Sequence, residues 1–136
     1  MPAGYSGTPL AKKLGIKEGM TLLLCNQPRD YFMLFDTLPE DLTLLESPAP
    51  ETSDFIHIFS TSEQEMTRIA STYKEALKKN GMLWVSWPKG KSNIETDLKR
   101  DWIRAHFLNL GLVDVKVAAI DDDWSGLKFM YRIKDR

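Results

Sequence analysis

Three stretches of this chain are apolar with almost no polar alternation: Leu22-Leu23-Leu24-Cys25, Phe55-Ile56-His57-Ile58-Phe59 and Met82-Leu83-Trp84-Val85. A strand that faces water on one side alternates apolar and polar residues. A strand covered on both faces does not, and that is the condition of a parallel sheet flanked by helices. Between the second and third runs, Met66, Ile69, Ala70, Tyr73 and Leu77 recur at helical spacing. Strand, helix, strand in this order points to an α/β fold with three layers.

The remaining punctuation fits that frame. Thr8-Pro9 opens a short helix, with Thr8 as cap, Pro9 at the first helical position and Gly15 as the left-handed stop. Pro28 starts a second helix through about Asp36, carrying Tyr31, Phe32, Leu34 and Phe35, and Pro39 breaks it. Leu42 to Glu46 forms a short second strand, and Ser47 to Ser53 forms a linker with no helical pattern. That linker is shorter than the dozen or so residues of a helical crossover. Ser62-Glu63-Gln64-Glu65 is a capping box for a helix reaching about Lys79, with Asn80-Gly81 as its end.

Pro88 stops the strand through Trp87, and a helix begins near Thr96 and ends at Asn109 and Gly111. Leu112 to Ile120 and Leu127 to Ile133 alternate around Asp121 to Gly126 and read as a closing antiparallel hairpin. The expected architecture is one domain over 1–136, a mostly parallel Rossmann-like sheet of about six strands in the order 2-1-3-4-6-5. Residues 1–18 form an N-terminal arm and a short helix packing on the sheet.

The formal net charge is −1, with basic and acidic residues interleaved. No electrostatic case exists for nucleic acid or an anionic membrane. The single cysteine, Cys25, lies in an apolar run and is expected to be a buried, reduced thiol. Residues 1–7 lack a basic leader followed by an apolar block, and no run approaches the ~20 apolar residues of a membrane span. A cytoplasmic protein is expected.

From Phe55 onward the order of elements resembles the back half of class I methyltransferases: strand, helix, a Gly-then-apolar strand at Gly81-Met82-Leu83-Trp84-Val85, a helix and a final hairpin. The chain also resembles a family of short bacterial proteins described as a domain of unknown function. Gly4-Tyr5-Ser6-Gly7-Thr8-Pro9-Leu10, Trp84-Val85-Ser86-Trp87-Pro88-Lys89 and Trp124-Ser125-Gly126-Leu127 carry that likeness. It implies the fold and a bacterial source, but no catalytic residue.

The methyltransferase resemblance implies S-adenosylmethionine, lying over the turn after the first strand where glycines let the backbone approach. Here that turn is Cys25-Asn26-Gln27-Pro28-Arg29-Asp30, without glycine. The expectation is therefore a truncated relative that takes no cofactor. Against it, Glu46 ends the second strand about 20 residues later, where an acid holds ribose hydroxyls.

Ligands of such sheets bind where strand order reverses, between Asn26-Gln27 and Ser60-Thr61-Ser62 on this topology. The helix opened by Ser62 would aim its dipole at an anion there. Trp87, Lys89 and Lys91 end the neighbouring strand and suit a phosphate or carboxylate beside a ring. His57, between isoleucines, and His106, in a stripe with Leu98 and Trp102, read as packing residues. Asp121-Asp122-Asp123 lacks the alternation of a calcium loop, so no metal is expected.

Trp124 is placed at the hairpin turn, either closing the core or standing as a contact residue. Three readings follow. The first is a non-enzymatic domain binding a small anion or a protein partner at the sheet edge. The second is a divergent S-adenosylmethionine-dependent methyltransferase, and the third a structural interaction module.

Overall fold

The structure, a computed structural model, describes residues 8–136. The arm read at residues 1–7, with Gly4-Tyr5-Ser6-Gly7, lies outside the described residues. One six-stranded sheet has the order β2-β1-β3-β4-β6-β5, as expected from the sequence. Strands β1 (Thr21–Cys25), β2 (Thr43–Leu45), β3 (Ser53–Phe59) and β4 (Leu77–Pro88) are parallel. The hairpin of β5 (Leu112–Ala119) and β6 (Trp124–Tyr131) closes the sheet, with β6 antiparallel to both its neighbours.

Because the side chains of a strand alternate, β3 feeds two cores. Ile56 and Ile58 face α2 (Glu63–Ala76) and α3 (Arg100–Asn109), meeting Met66, Ile103 and Phe107. Phe55 and Phe59 face the other layer, where α1 (Leu10–Leu14) and the segment after β1 supply Leu14, Tyr31 and Phe35. Trp84 is fully buried there and its indole N–H donates to the Leu14 carbonyl at 2.8 Å, tying α1 to the sheet. Among the described residues no helix is long and apolar enough to cross a membrane.

Several boundaries differ from expectation, each for a local reason. The segment after Pro28 makes only a 3₁₀ turn at Tyr31–Leu34, with no side-chain cap at Asp30. So short a helix is marginal without tertiary help, and only Tyr31 of this turn is buried, while Phe32 and Met33 face solvent. Helix α2 stops at Ala76 rather than Lys79, because Leu77 pairs with Ser53. Asn80-Gly81 thus lies inside β4, at an irregularity in its pairing with β3. A Cβ on Gly81 would sit 2.9 Å from the Asp54 carbonyl oxygen, so the backbones approach too closely for a side chain.

Helix α3 starts at Arg100, not near Thr96, whose hydroxyl bonds the Thr61 carbonyl and the Leu98 N–H instead. Thr8 does not cap α1; Pro9 is its N-cap residue, without a side-chain bond, while Gly15 adopts the expected left-handed stop at φ 93°. The short linker before β3 still joins two parallel strands. It does so because β2 has three residues and the chain returns past the end of α2, with Glu51 and Thr52 N–H groups donating to the Glu75 and Ala76 carbonyls. Trp124 is the first residue of β6, opposite Pro88, and the turn itself is Asp121 to Asp123.

Candidate ligand site at the strand tips

Strands β1, β3 and β4 end at one edge of the sheet. The partners of β1 lie on opposite sides of it, so connections diverge at the tips of β1 and β3, the position at which sheets of this kind open a ligand crevice. Asn26 follows the last residue of β1 and is exposed, with φ 57°. Asparagine is one of the few side chains that tolerate this left-handed conformation, which glycine otherwise supplies. Gln27 is likewise exposed, and Pro28 is half-buried. Leu23 pairs with Leu45, so Glu46 leaves β2 beside the tip of β1, also exposed.

Across the crevice, polar groups are engaged with one another. Ser62 Oγ accepts the Glu65 N–H at 3.0 Å, which is half of the expected capping box. The reciprocal half runs through Ser60: this buried hydroxyl donates to Glu65 Oε1 at 2.6 Å and accepts the Ser62 N–H at 3.3 Å. The Glu63 N–H donates to Asp97 Oδ1 at 2.9 Å. A carboxylate of the chain itself therefore stands at the positive end of α2, where such a charge is favoured.

A cleft of about 820 Å³ opens beyond Thr61, between the β3–α2 and β4–α3 connections. Trp87, Lys89, Thr96, Lys99 and Arg100 are among its lining residues. The loop that forms it is pinned at several points. The Lys89 N–H donates to the Asp123 carbonyl at 2.8 Å, Ser92 Oγ to Asp123 Oδ1 at 2.8 Å, and Thr96 Oγ1 to the Thr61 carbonyl at 2.7 Å. Lys91 is exposed on the same loop.

A third polar group lies behind the crevice. His57, with no solvent exposure, bonds the Tyr31 hydroxyl through Nδ1 at 2.9 Å and Ser86 Oγ through Nε2 at 2.8 Å. Phe59 stacks on its ring at 4.3 Å. Burial holds its pKa far below the ordinary imidazole value, at about 3, so the ring is neutral. Burial likewise pushes the Tyr31 hydroxyl well above the ordinary phenol value. This chain of bonds ties the segment after β1 to β3 and β4.

Sequence reasoning placed His57 in the core but missed both partners. The signal was its period-two position between Phe55 and Phe59, which puts all three on one face. Cys25 is buried beside the Tyr73 hydroxyl, and burial raises its thiol pKa. His106 stacks on Trp102 at 5.0 Å, its pKa lowered by partial burial. Asp121 Oδ1 accepts the N–H groups of Asp123 and Trp124, so the acidic run serves its own turn. The half-buried Trp124 ring meets Phe59 edge-on at 5.0 Å.

No family model matches the chain, and no curated protein matches it in sequence; neither comparison supplies the short bacterial family. Solved structures do match. A SAM-dependent methyltransferase from Aquifex aeolicus is 17% identical, covering 90% of this chain and 88% of that one with a TM-score of 0.63. A methyltransferase complexed with the Haloferax volcanii Trm112 activator is 12% identical, covering 88% and 86%, with a TM-score of 0.64. A complex of DhpI with SAH is 6% identical, covering 92% and 83%, with a TM-score of 0.60.

The fold is that of the class I methyltransferases.

This finding corrects the expectation that the chain takes no cofactor: solved proteins of this fold are SAM-dependent, and one holds SAH. The turn after β1 lacks glycine, yet Asn26 supplies the left-handed residue and its side chain is in solvent.

Proposed function

We propose that this chain is a divergent S-adenosylmethionine-dependent methyltransferase whose cofactor lies at the tips of β1 and β2. The observation that carries the reading is the shared sheet, matched over about nine-tenths of the chain by a SAM-dependent methyltransferase. The residues at the edge suit the group. Glu46, exposed at the end of β2, would accept hydrogen bonds from ribose hydroxyls. The Asn26-Gln27 turn would offer backbone N–H groups and side-chain amides to the polar end of the molecule.

Held by Glu46 and the Asn26-Gln27 turn, S-adenosylmethionine would supply an electrophilic methyl group for transfer to a nucleophilic acceptor. The part of the protein is to fix the geometry and exclude competing water. The bonds from Tyr31 through His57 to Ser86 would keep the β1 turn in place against the tips of β3 and β4.

Calorimetric titration of the full chain with SAH tests this. One-to-one binding is expected, weakened about tenfold by Glu46→Ala, the equivalent of about 1.4 kcal/mol. Absence of both heat and thermal stabilisation at millimolar SAH would refute it. The first reading, a binding domain without methyl transfer, keeps one supporting observation: the Haloferax volcanii neighbour is complexed with a protein activator. A partner of this kind would find Phe32 and Met33 exposed on the segment after β1.

A further inference from the structure

The cleft beyond Thr61 is not at the tips of β1 and β3. It lies one strand further along, between the connections that lead into α2 and α3. At about 820 Å³ it falls within the range of small-molecule sites, ~300–1,000 Å³. Its wall is a long connection without regular structure, from Lys89 to Lys99. It is held in shape by the Asp123, Ser92 and Thr96 bonds described above.

The charges around the cleft divide unequally. Of its acids, Asp97 is engaged at the α2 N-terminus, leaving Glu95. Asp123, at the loop's other anchor, holds Ser92. Of the cations, Lys89 and Lys99 make no ion pair among the described residues, and Arg100 has only a long, exposed contact with Asp101 at 3.9 Å. The uncommitted charge of the cleft is therefore positive. Trp87, with 9% of its surface exposed, gives it an aromatic wall at the end of β4.

We propose that this cleft is a binding site for a small molecule bearing a carboxylate or phosphate, held by Lys89, Lys99 and Arg100. Its assignment as the acceptor subsite rests on the methyltransferase reading. The anion meets side-chain cations rather than the α2 dipole, because Asp97 already occupies that terminus. Charge-assisted bonds to lysine and arginine are the stronger class of hydrogen bond, and the pinned loop presents them without reordering. Thr61 and Thr96 at the rim add neutral hydroxyl groups.

Inorganic phosphate and benzoate are the probes, titrated against the full chain at constant ionic strength with chloride as control. Binding to the native state raises the melting temperature by mass action. At least one probe is expected to stabilise the protein beyond chloride; phosphate alone would identify a phosphate site, and benzoate alone a carboxylate site beside the indole. Lys89→Ala/Lys99→Ala should weaken that binding by at least about tenfold while the ligand-free melting temperature holds. If the double variant loses basal stability, Lys99→Gln alone makes the same test.

SAH is titrated separately. Binding of SAH with no response to either probe overturns the cleft assignment and leaves the cofactor reading intact. A probe response lost in the variant, without SAH binding, supports the anion site and removes its acceptor role. Equal probe binding by variant and parent overturns the site.

Discussion

Acidification should destabilise this protein through His57 before its carboxylates titrate. The imidazole has no solvent exposure, sits between the Tyr31 and Ser86 hydroxyls and is stacked on Phe59. Desolvation holds its pKa at about 3, against 6.5 for a solvated imidazole. The folded value is depressed, so between the two values the unfolded chain binds a proton that the folded chain does not. Stability is then complete above about pH 6.5 and falls as the pH drops, at about 1.4 kcal/mol per unit.

At about pH 5 the loss reaches ~2 kcal/mol, a sizeable fraction of the 5–15 kcal/mol typical of a domain. Urea melts between about pH 7.5 and pH 5 measure it, a window chosen above the ordinary carboxylate pKa values. His106, stacked on Trp102 and partly solvated, contributes in the same direction but screened, and His106→Gln isolates it. The imidazole resonances of His57 should stay those of a neutral ring throughout. A flat urea midpoint over this range, or titration of His57 near pH 6.5 in the folded protein, would refute the reasoning.

Two further substitutions probe the packing behind the strand tips. Trp124→Ala removes a half-buried ring that meets Phe59 edge-on; it should cost about 2 kcal/mol, between surface changes and full core truncations, read as a shift in the urea midpoint. Gly126→Ala would place a Cβ 2.9 Å from Ile120 Cδ1 and 3.0 Å from Trp84 Cε3. Overpacking of this kind should cost about 1–3 kcal/mol, with tryptophan fluorescence reporting the displaced Trp84.

The strand order was legible because it follows from three pieces of local chemistry. Unbroken apolar runs require coverage on both faces, the capping box at Ser62 marks a helix between two of them, and alternation after Leu112 marks a hairpin. What failed were boundaries decided by long-range pairing. Nothing local stops α2 at Ala76; the pairing of Leu77 with Ser53, twenty-four positions earlier, does. Nor does local sequence reveal that three residues suffice for β2 once the following linker can hydrogen-bond to the end of α2.

The site was less legible, and the turn after β1 shows why. No glycine is present there, and the expectation was that side chains would stand in the cofactor's approach path; solved SAM-dependent proteins share the fold all the same. What the composition did not reveal is how the turn is made. The physical requirement is a residue that accepts positive φ, and Asn26 meets it at modest steric expense. The same distinction governs the capped helix. Ser62 and Glu65 bond as residues of their type do, yet the anion at that helix terminus is Asp97, thirty-four positions from Glu63 and brought there by the loop after β4. Residue types at a given spacing define which bonds are available; the tertiary path decides which groups satisfy one another first. At this strand edge the acids near α2 are already matched by N–H and hydroxyl groups, and the lysines of the neighbouring loop are not. Recognition of an anion is therefore expected from Lys89 and Lys99 rather than from the helix that first suggested it.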